Sequence, residues 1–138
     1  MLRQKQSGCA AARNAGVAAS TAQYVAFLDG DDLWAPEKLE RQAAVLDARP
    51  EIDLTFSWSR IIDGSGAGTG HMHRAAAGAT GFGDVLTRNV VGNGSSVVMR
   101  RSALERAGPF DESLRAASDF DMWLRIAALR PANCWCVP

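Results

Sequence analysis

The sequence predicts an α/β layered fold with a mainly parallel central sheet. Three observations carry this: helix-like and strand-like segments alternate, the strand-like runs are short and apolar, and acidic or glycine-rich turns lie beside them. At 138 residues and 47% apolar content the chain is of single-domain size and has enough apolar side chains for a sizeable core.

Gly8 to Ser20 is dense in alanine, with Arg13 and Asn14 in its middle, and predicts the first helix. Tyr24 to Leu28 then forms an apolar run of strand length that stops at the acidic turn Asp29-Gly30-Asp31-Asp32. A second helix is expected to start at Pro36, with Trp34 and Leu39 spaced as a hydrophobic staple. Leu39, Ala43 and Leu46 give it one apolar face, and Pro50 ends it. Leu54, Phe56 and Trp58 alternate with polar residues and predict a strand over Asp53 to Ser59.

Asp63 to Gly83, rich in Gly, Ala and Thr, reads as a mobile loop, and a short helix is expected near Asp84 to Asn89. A strand over Ser95 to Met99 follows Gly92-Asn93-Gly94. A helix capped by Ser102 runs through Arg106 to a stop at Gly108-Pro109. Ser118 and Asp121 have capping-box spacing at the head of the last clear helix, whose Phe120, Trp123, Leu124 and Ala127 share a face, which makes Trp123 a core residue.

Fifteen basic side chains balance fifteen acidic ones, so no net field draws the chain to nucleic acid or to an anionic membrane. No apolar run approaches bilayer-spanning length, and the opening residues from Met1 to Gln6 lead into no signal-type apolar core, so a cytoplasmic location is expected. Cys9, Cys134 and Cys136 suit neither a disulfide framework nor zinc knuckles and read as buried or idle thiols.

The chemistry concentrates at the acidic turn. Asp29, Asp31 and Asp32 directly follow a buried strand, where ligands of such sheets bind, and like charges this close call for a compensating cation. A hard divalent ion, Mn²⁺ or Mg²⁺, prefers oxygen ligands and commonly combines one or two carboxylates with substrate phosphates. Helix-dipole stabilisation from the following helix would account for one aspartate at about 0.3–1 kcal/mol, but not for three. Asp121 and Arg125 are spaced for an ion pair. His71 and His73 lack a third metal ligand nearby in sequence and fit a substrate-covering loop better than a metal site. Arg3 and Lys5, near the terminus, fit solvated side chains better than diphosphate ligands.

Two blocks resemble the family 2 glycosyltransferases, whose fold is the Rossmann-like GT-A type. The first comprises Ala11 to Gly16, Tyr24 to Trp34 and Pro36 to Leu39; the second comprises Gly94 to Arg101, Gly108 to Glu112 and Ser118 to Arg125. The resemblance implies inverting transfer of a sugar from a nucleoside diphosphate sugar, UDP-sugars foremost, to a hydroxyl of a glycan or lipid-linked acceptor in polysaccharide assembly. Asp31 would then lie near ribose and metal, Asp32 would ligate the metal, and Asp29 would support the turn. Asp119 would be the general base, although Ser118 stands where the family more often has a second acid. Residues from about 1 to 60 would form the metal and donor part, and those from about 84 to 130 the acceptor side. The resemblance begins part-way through the family's fold and stops early, so an incomplete GT-A domain lacking the first nucleotide-base-binding strands is expected. The family also allows peripheral attachment to the inner membrane face. Two alternatives stand beside it: a sugar-nucleotide binder without turnover, and a metal-dependent aspartate phosphotransferase or phosphatase. Asp32-Leu33-Trp34 departs from the Gly and Thr or Val that would continue the phosphatase pattern.

Overall fold

The computed structural model describes residues 3–138; the reading of the opening residues at Met1 and Leu2 falls outside them. Its helices are α1 (Gly8–Ala18), α2 (Lys38–Ala48), α3 (Phe82–Arg88), α4 (Arg101–Ala107) and α5 (Ser118–Ala127). Its strands are β1 (Tyr24–Ala26), β2 (Leu54–Ser57), β3 (Ser59–Ile62), β4 (Gly68–His73), β5 (Gly78–Thr80), β6 (Val97–Arg100) and β7 (Cys134–Val137). Among these residues no helix is long and apolar enough to cross a membrane.

The layered α/β class is as expected, but the sheet is not mainly parallel. Its order is β1-β6-β2-β7-β5, and only β2 with β7 runs parallel. β6 enters between β1 and β2 in the opposite direction, pairing Val25 with Met99 and Thr55 with Val98. Apolar runs of strand length look the same in either direction, so the sequence pattern alone could not reveal this reversal. β1 and β2 still point the same way, which brings the acidic turn after β1 and the Ser57-Trp58 segment after β2 to one end of the sheet.

The Gly-rich stretch expected as a loop is ordered. β3 and β4 pair as a separate two-stranded hairpin, and β5 joins the main sheet against β7. Asp63 makes the hairpin turn: its Oδ1 accepts hydrogen bonds from the Ser65 amide at 2.8 Å, the Ser65 hydroxyl at 2.6 Å and the Ala67 amide at 3.1 Å. Gly66, with φ +84°, takes the left-handed position that glycine adopts without a steric penalty.

The core lies between the sheet and α3, α4 and α5. Leu54, Phe56, Val97 and Met99 meet Phe110, Met122, Trp123 and Ile126 there, each at most 1% exposed. Trp123 is thus core, as its place on the apolar face requires. On the opposite face α2 supplies Leu46, packed with Ile52 and Val98. The α2 helix begins two residues later than Pro36, and the staple is not formed: Leu39 is left 44% exposed and Trp34 turns elsewhere.

Candidate active site

The turn after β1 is closed by the Asp32 amide donating to the Asp29 carbonyl at 3.1 Å. Its three carboxylates have different surroundings. Asp29 is held from two sides, its amide donating to Ser95 Oγ at 2.9 Å and its carboxylate accepting from Arg13 Nη2 at 3.1 Å. Arg13 reaches it from α1 past the rings of Phe27 and Phe110, which pack edge to face with centroids 5.3 Å apart and lie 5.8 and 5.6 Å from its Cζ, and its side chain is only 10% exposed. A Cβ on Gly94 would lie 2.9 Å from Arg13 Nη2, so the chain must come this close without a side chain. Asp29 is therefore a charge-balanced support of the turn.

Asp31 is exposed and Asp32 half-buried, and among the described residues neither carboxylate has a basic partner in an ion pair. Both line a cleft of about 730 Å³, walled by Trp34 and Lys38 on one side and by Trp58, Arg60 and Ile61 on the other. The Trp34 indole donates to the Ser95 carbonyl at 2.8 Å, so Ser95 ties both Asp29 and Trp34 to the start of β6. Beneath them the buried Gln42 amide donates to the Ser96 carbonyl at 2.9 Å and anchors α2.

Asp31 and Asp32 fit a divalent cation by donor chemistry: two adjacent oxygen ligands, unpaired, at the wall of a cleft. Among the described residues no three His, Cys, Asp or Glu side chains gather into a full metal cage.

Asp119 stands in the first turn of α5, half-buried, its carboxylate accepting from the Phe120 amide at 2.9 Å. It is not among the residues lining the cleft of Asp31 and Asp32. The expected capping box does not form. Ser118 is already helical, the residue before it, Ala117, sits at φ 58°, and Asp121 is taken by Arg125 at 2.8 Å. Arg125 also donates to the Ala107 carbonyl, so the expected ion pair tethers α5 to the end of α4. The cap expected at Ser102 is likewise replaced, by Arg100.

His71 and His73 lie on β4, and His73 packs on Gly92, where an added Cβ would be 3.1 Å from its Nδ1. Arg3 and Lys5 are exposed. All three cysteines are free, with Cys9 exposed and Cys134 and Cys136 buried. Burial, followed by the nearby Asp53 charge, pushes the Cys134 thiol up to about 12, which makes it inert.

Sequence reasoning passed over Arg13, Ser95, Gln42 and Lys38. Gln42 was legible in part, as a polar residue on the face of Ala43 and Leu46. Arg13 and Ser95 act only through partners 16 and 66 residues away, which no local spacing displays.

The family profile described as "Glycosyltransferase like family 2" matches residues 2–133. An uncharacterized glycosyltransferase of Methanocaldococcus jannaschii is 27% identical over 125 residues, covering 91% of this chain and 43% of that protein. The amylovoran biosynthesis glycosyltransferase AmsE of Erwinia amylovora is 29% identical over 126 residues, covering 91% of this chain and 46% of AmsE. The chain thus spans less than half the length of these relatives. The crystal structure of S. aureus TarS 1-349 superposes with a TM-score of 0.69 at 21% identity, over 98% of this chain and 39% of that one, a likeness of fold.

Proposed function

The chain belongs to glycosyltransferase like family 2 with a GT-A fold, and from that premise we propose that it carries the donor grip and the general base of an inverting sugar transfer. The donor is a nucleoside diphosphate sugar, UDP-sugars foremost, and the acceptor a hydroxyl of a glycan or lipid-linked saccharide. The name of AmsE, with its amylovoran biosynthesis, supports polysaccharide assembly as the setting. The cytoplasm, with peripheral attachment to the inner membrane face, is the matching location.

One observation carries the reading. Of three aspartates in one turn, Asp29 is neutralised by Arg13 while Asp31 and Asp32 face a cleft without a basic partner among the described residues. Two unpaired neighbouring carboxylates repel one another, and a cation offsets that cost. Asp32 would hold Mn²⁺ or Mg²⁺, with Asp31 beside it toward the ribose. A bound cation would supply electrostatic stabilisation of the departing diphosphate.

The protein's own groups do the rest. Asp29, clamped by Arg13 and Ser95, keeps the turn in shape so that Asp31 and Asp32 stay aimed at the cleft. Asp119 accepts the acceptor hydroxyl's proton as that oxygen attacks the anomeric carbon. The bond to the diphosphate breaks on the opposite face of the sugar, and the configuration inverts. Residues up to about 60 form the donor side and those from about 84 to 130 the acceptor side.

A second reading, donor binding without turnover, draws on Asp119 lying outside the cleft lining and on Ser118 in the place of a second acid. Two variants separate the readings. Mn²⁺ with UDP should raise the melting temperature of the wild-type chain, and Asp32→Asn should lose that rise. If Asp32→Asn is stabilised as much as wild type, the metal assignment fails. Asp119→Asn should keep the stabilisation but lower UDP release from a panel of UDP-sugars by at least about 100-fold. A wild type that binds but never releases UDP selects the binder.

A further inference from the structure

Lys38 is the first residue of α2, four positions beyond Trp34 and six beyond Asp32. Its ammonium has no solvent access and no hydrogen-bond partner among the described residues. Its Nζ lies over the Trp34 ring, 4.6 Å from the centroid. Among the described residues no carboxylate reaches it in an ion pair, although Asp31, Asp32 and Glu37 line the same cleft.

An ammonium carries three donors and no acceptor, and burying it unpaired is costly. The ring face offsets a part through a cation-π contact, but a ring satisfies no N–H bond in the way an oxygen does. The ring contact uses the charge but leaves the three N–H donors unmet, and an arriving anion would meet them. Trp34 is itself fixed to Ser95, so the platform beneath the ammonium is rigid before any ligand binds.

We infer that Lys38 is a phosphate-contacting residue of the cleft, its flexible side chain turning off the Trp34 ring to donate to an oxygen of the diphosphate that Asp31 and Asp32 address. The inference rests on the donor reading above and adds to it a positive group supplied by the protein itself. Burial lowers the ammonium from its ordinary value of 10.5 to about 8, so the free cleft holds this charge at a cost that an anion relieves. Stability and binding are therefore opposed at this residue.

Calorimetric titration of the 138-residue chain with inorganic pyrophosphate, in EDTA and in Mn²⁺, tests this. Lys38→Met should bind pyrophosphate at least about ten-fold more weakly in the buffer where wild type binds, while its ligand-free melting temperature rises. Lys38→Arg should stay within about three-fold of wild type because the charge is kept. Asp32→Asn should lose only the gain from Mn²⁺. If it loses nothing, the metal reading fails while the Lys38 result stands. A Lys38→Met that titrates like wild type overturns the inference, and so does a wild type that takes up no pyrophosphate in either buffer. Titration with glucuronate is the control for a carboxylate ligand. If Lys38→Met loses glucuronate and keeps pyrophosphate, the lysine serves an acidic sugar and the phosphate assignment falls. Lys38→Gln repeats the series should the methionine variant precipitate.

Discussion

Asp29 and Asp31 are two positions apart and chemically alike, yet one is ion-paired within the fold and the other, among the described residues, is not. The difference comes from Arg13, whose guanidinium packs beside the paired rings of Phe27 and Phe110 and ends on Asp29. The acidic turn was legible in the sequence because residue type and spacing are local; the division of labour inside it was not, because Arg13 is distant in sequence and Gly94 more distant still. Gly94 gives the sharpest test of that arrangement. An alanine there would bring a methyl to 2.9 Å from Arg13 Nη2 and 3.6 Å from Asp29 Oδ2. The guanidinium is the far end of a flexible side chain, but the two rings and the carboxylate leave it little room to retreat. Gly94→Ala should cost about 1–3 kcal/mol of stability, the usual range for overpacking, read as a lowered urea midpoint at unchanged slope. Arg13→Lys with Gly94→Ala should recover part of the loss, since the ammonium lacks the branch that collides.

At the scale of elements, the helices and the strands of strong apolar pattern were legible: α1 to α5, with β1, β2 and β6, stand within a few residues of expectation. The hairpin and β5 were not. β4 is Gly-Thr-Gly-His-Met-His, without an apolar face, and it is a strand because β3 pairs with it. β7 is four residues of Cys-Trp-Cys-Val whose strand character comes from lying between β2 and β5. Helix α5 shows a different departure. Its expected capping box would have satisfied the first amides from Ser118, but the helix starts one residue earlier, on Ala117 at φ 58°. A residue with a Cβ in that region is strained by roughly 1–2 kcal/mol, against glycine's greater loss of freedom on folding of about 0.5–1 kcal/mol. Ala117→Gly should therefore stabilise the chain by about 0.5–1 kcal/mol in urea titration. It should do so with little change in UDP release if the added backbone freedom leaves Asp119 in place. A loss of stability would mean that the Ala117 methyl makes packing contacts worth more than the strain.

For the molecule as a whole, the two ends of the sheet are built for different tasks. At one end β1 runs into the cleft carboxylates; at the other, just before β2, Asp53 is fully buried and gathers three side chains around one charge. Arg106 from α4 reaches its Oδ1 at 2.8 Å, while Arg130 Nε and the Asn133 amide, from the segment between α5 and β7, reach Oδ2 at 2.8 and 2.9 Å. Burial pushes this carboxyl up, but the hydrogen bonds from Arg130 and Asn133 and the charges of Arg130 and Arg106 together outweigh it and hold it below its ordinary value of 3.8. A carboxylate depressed in the folded state stabilises the protein above its unfolded value and loses that contribution as pH falls through the folded one. The arginines are 49% and 37% exposed and return to water easily, whereas the aspartate cannot. Removing the acid should thus be milder than removing its partners. Asp53→Asn, which keeps the shape, should cost about 1–3 kcal/mol at pH 7, and Arg106→Ala with Arg130→Ala, which strands a buried charge, about 3–5 kcal/mol. The pH profile carries the decisive sign. The stability gap between wild type and Asp53→Asn should be full above about pH 5 and close as the pH drops below about 3.8, since the wild type alone has this carboxylate to protonate. A gap that stays constant down to about pH 2 would mean that folding leaves the titration of Asp53 unchanged and that its arginines are held by something other than its charge.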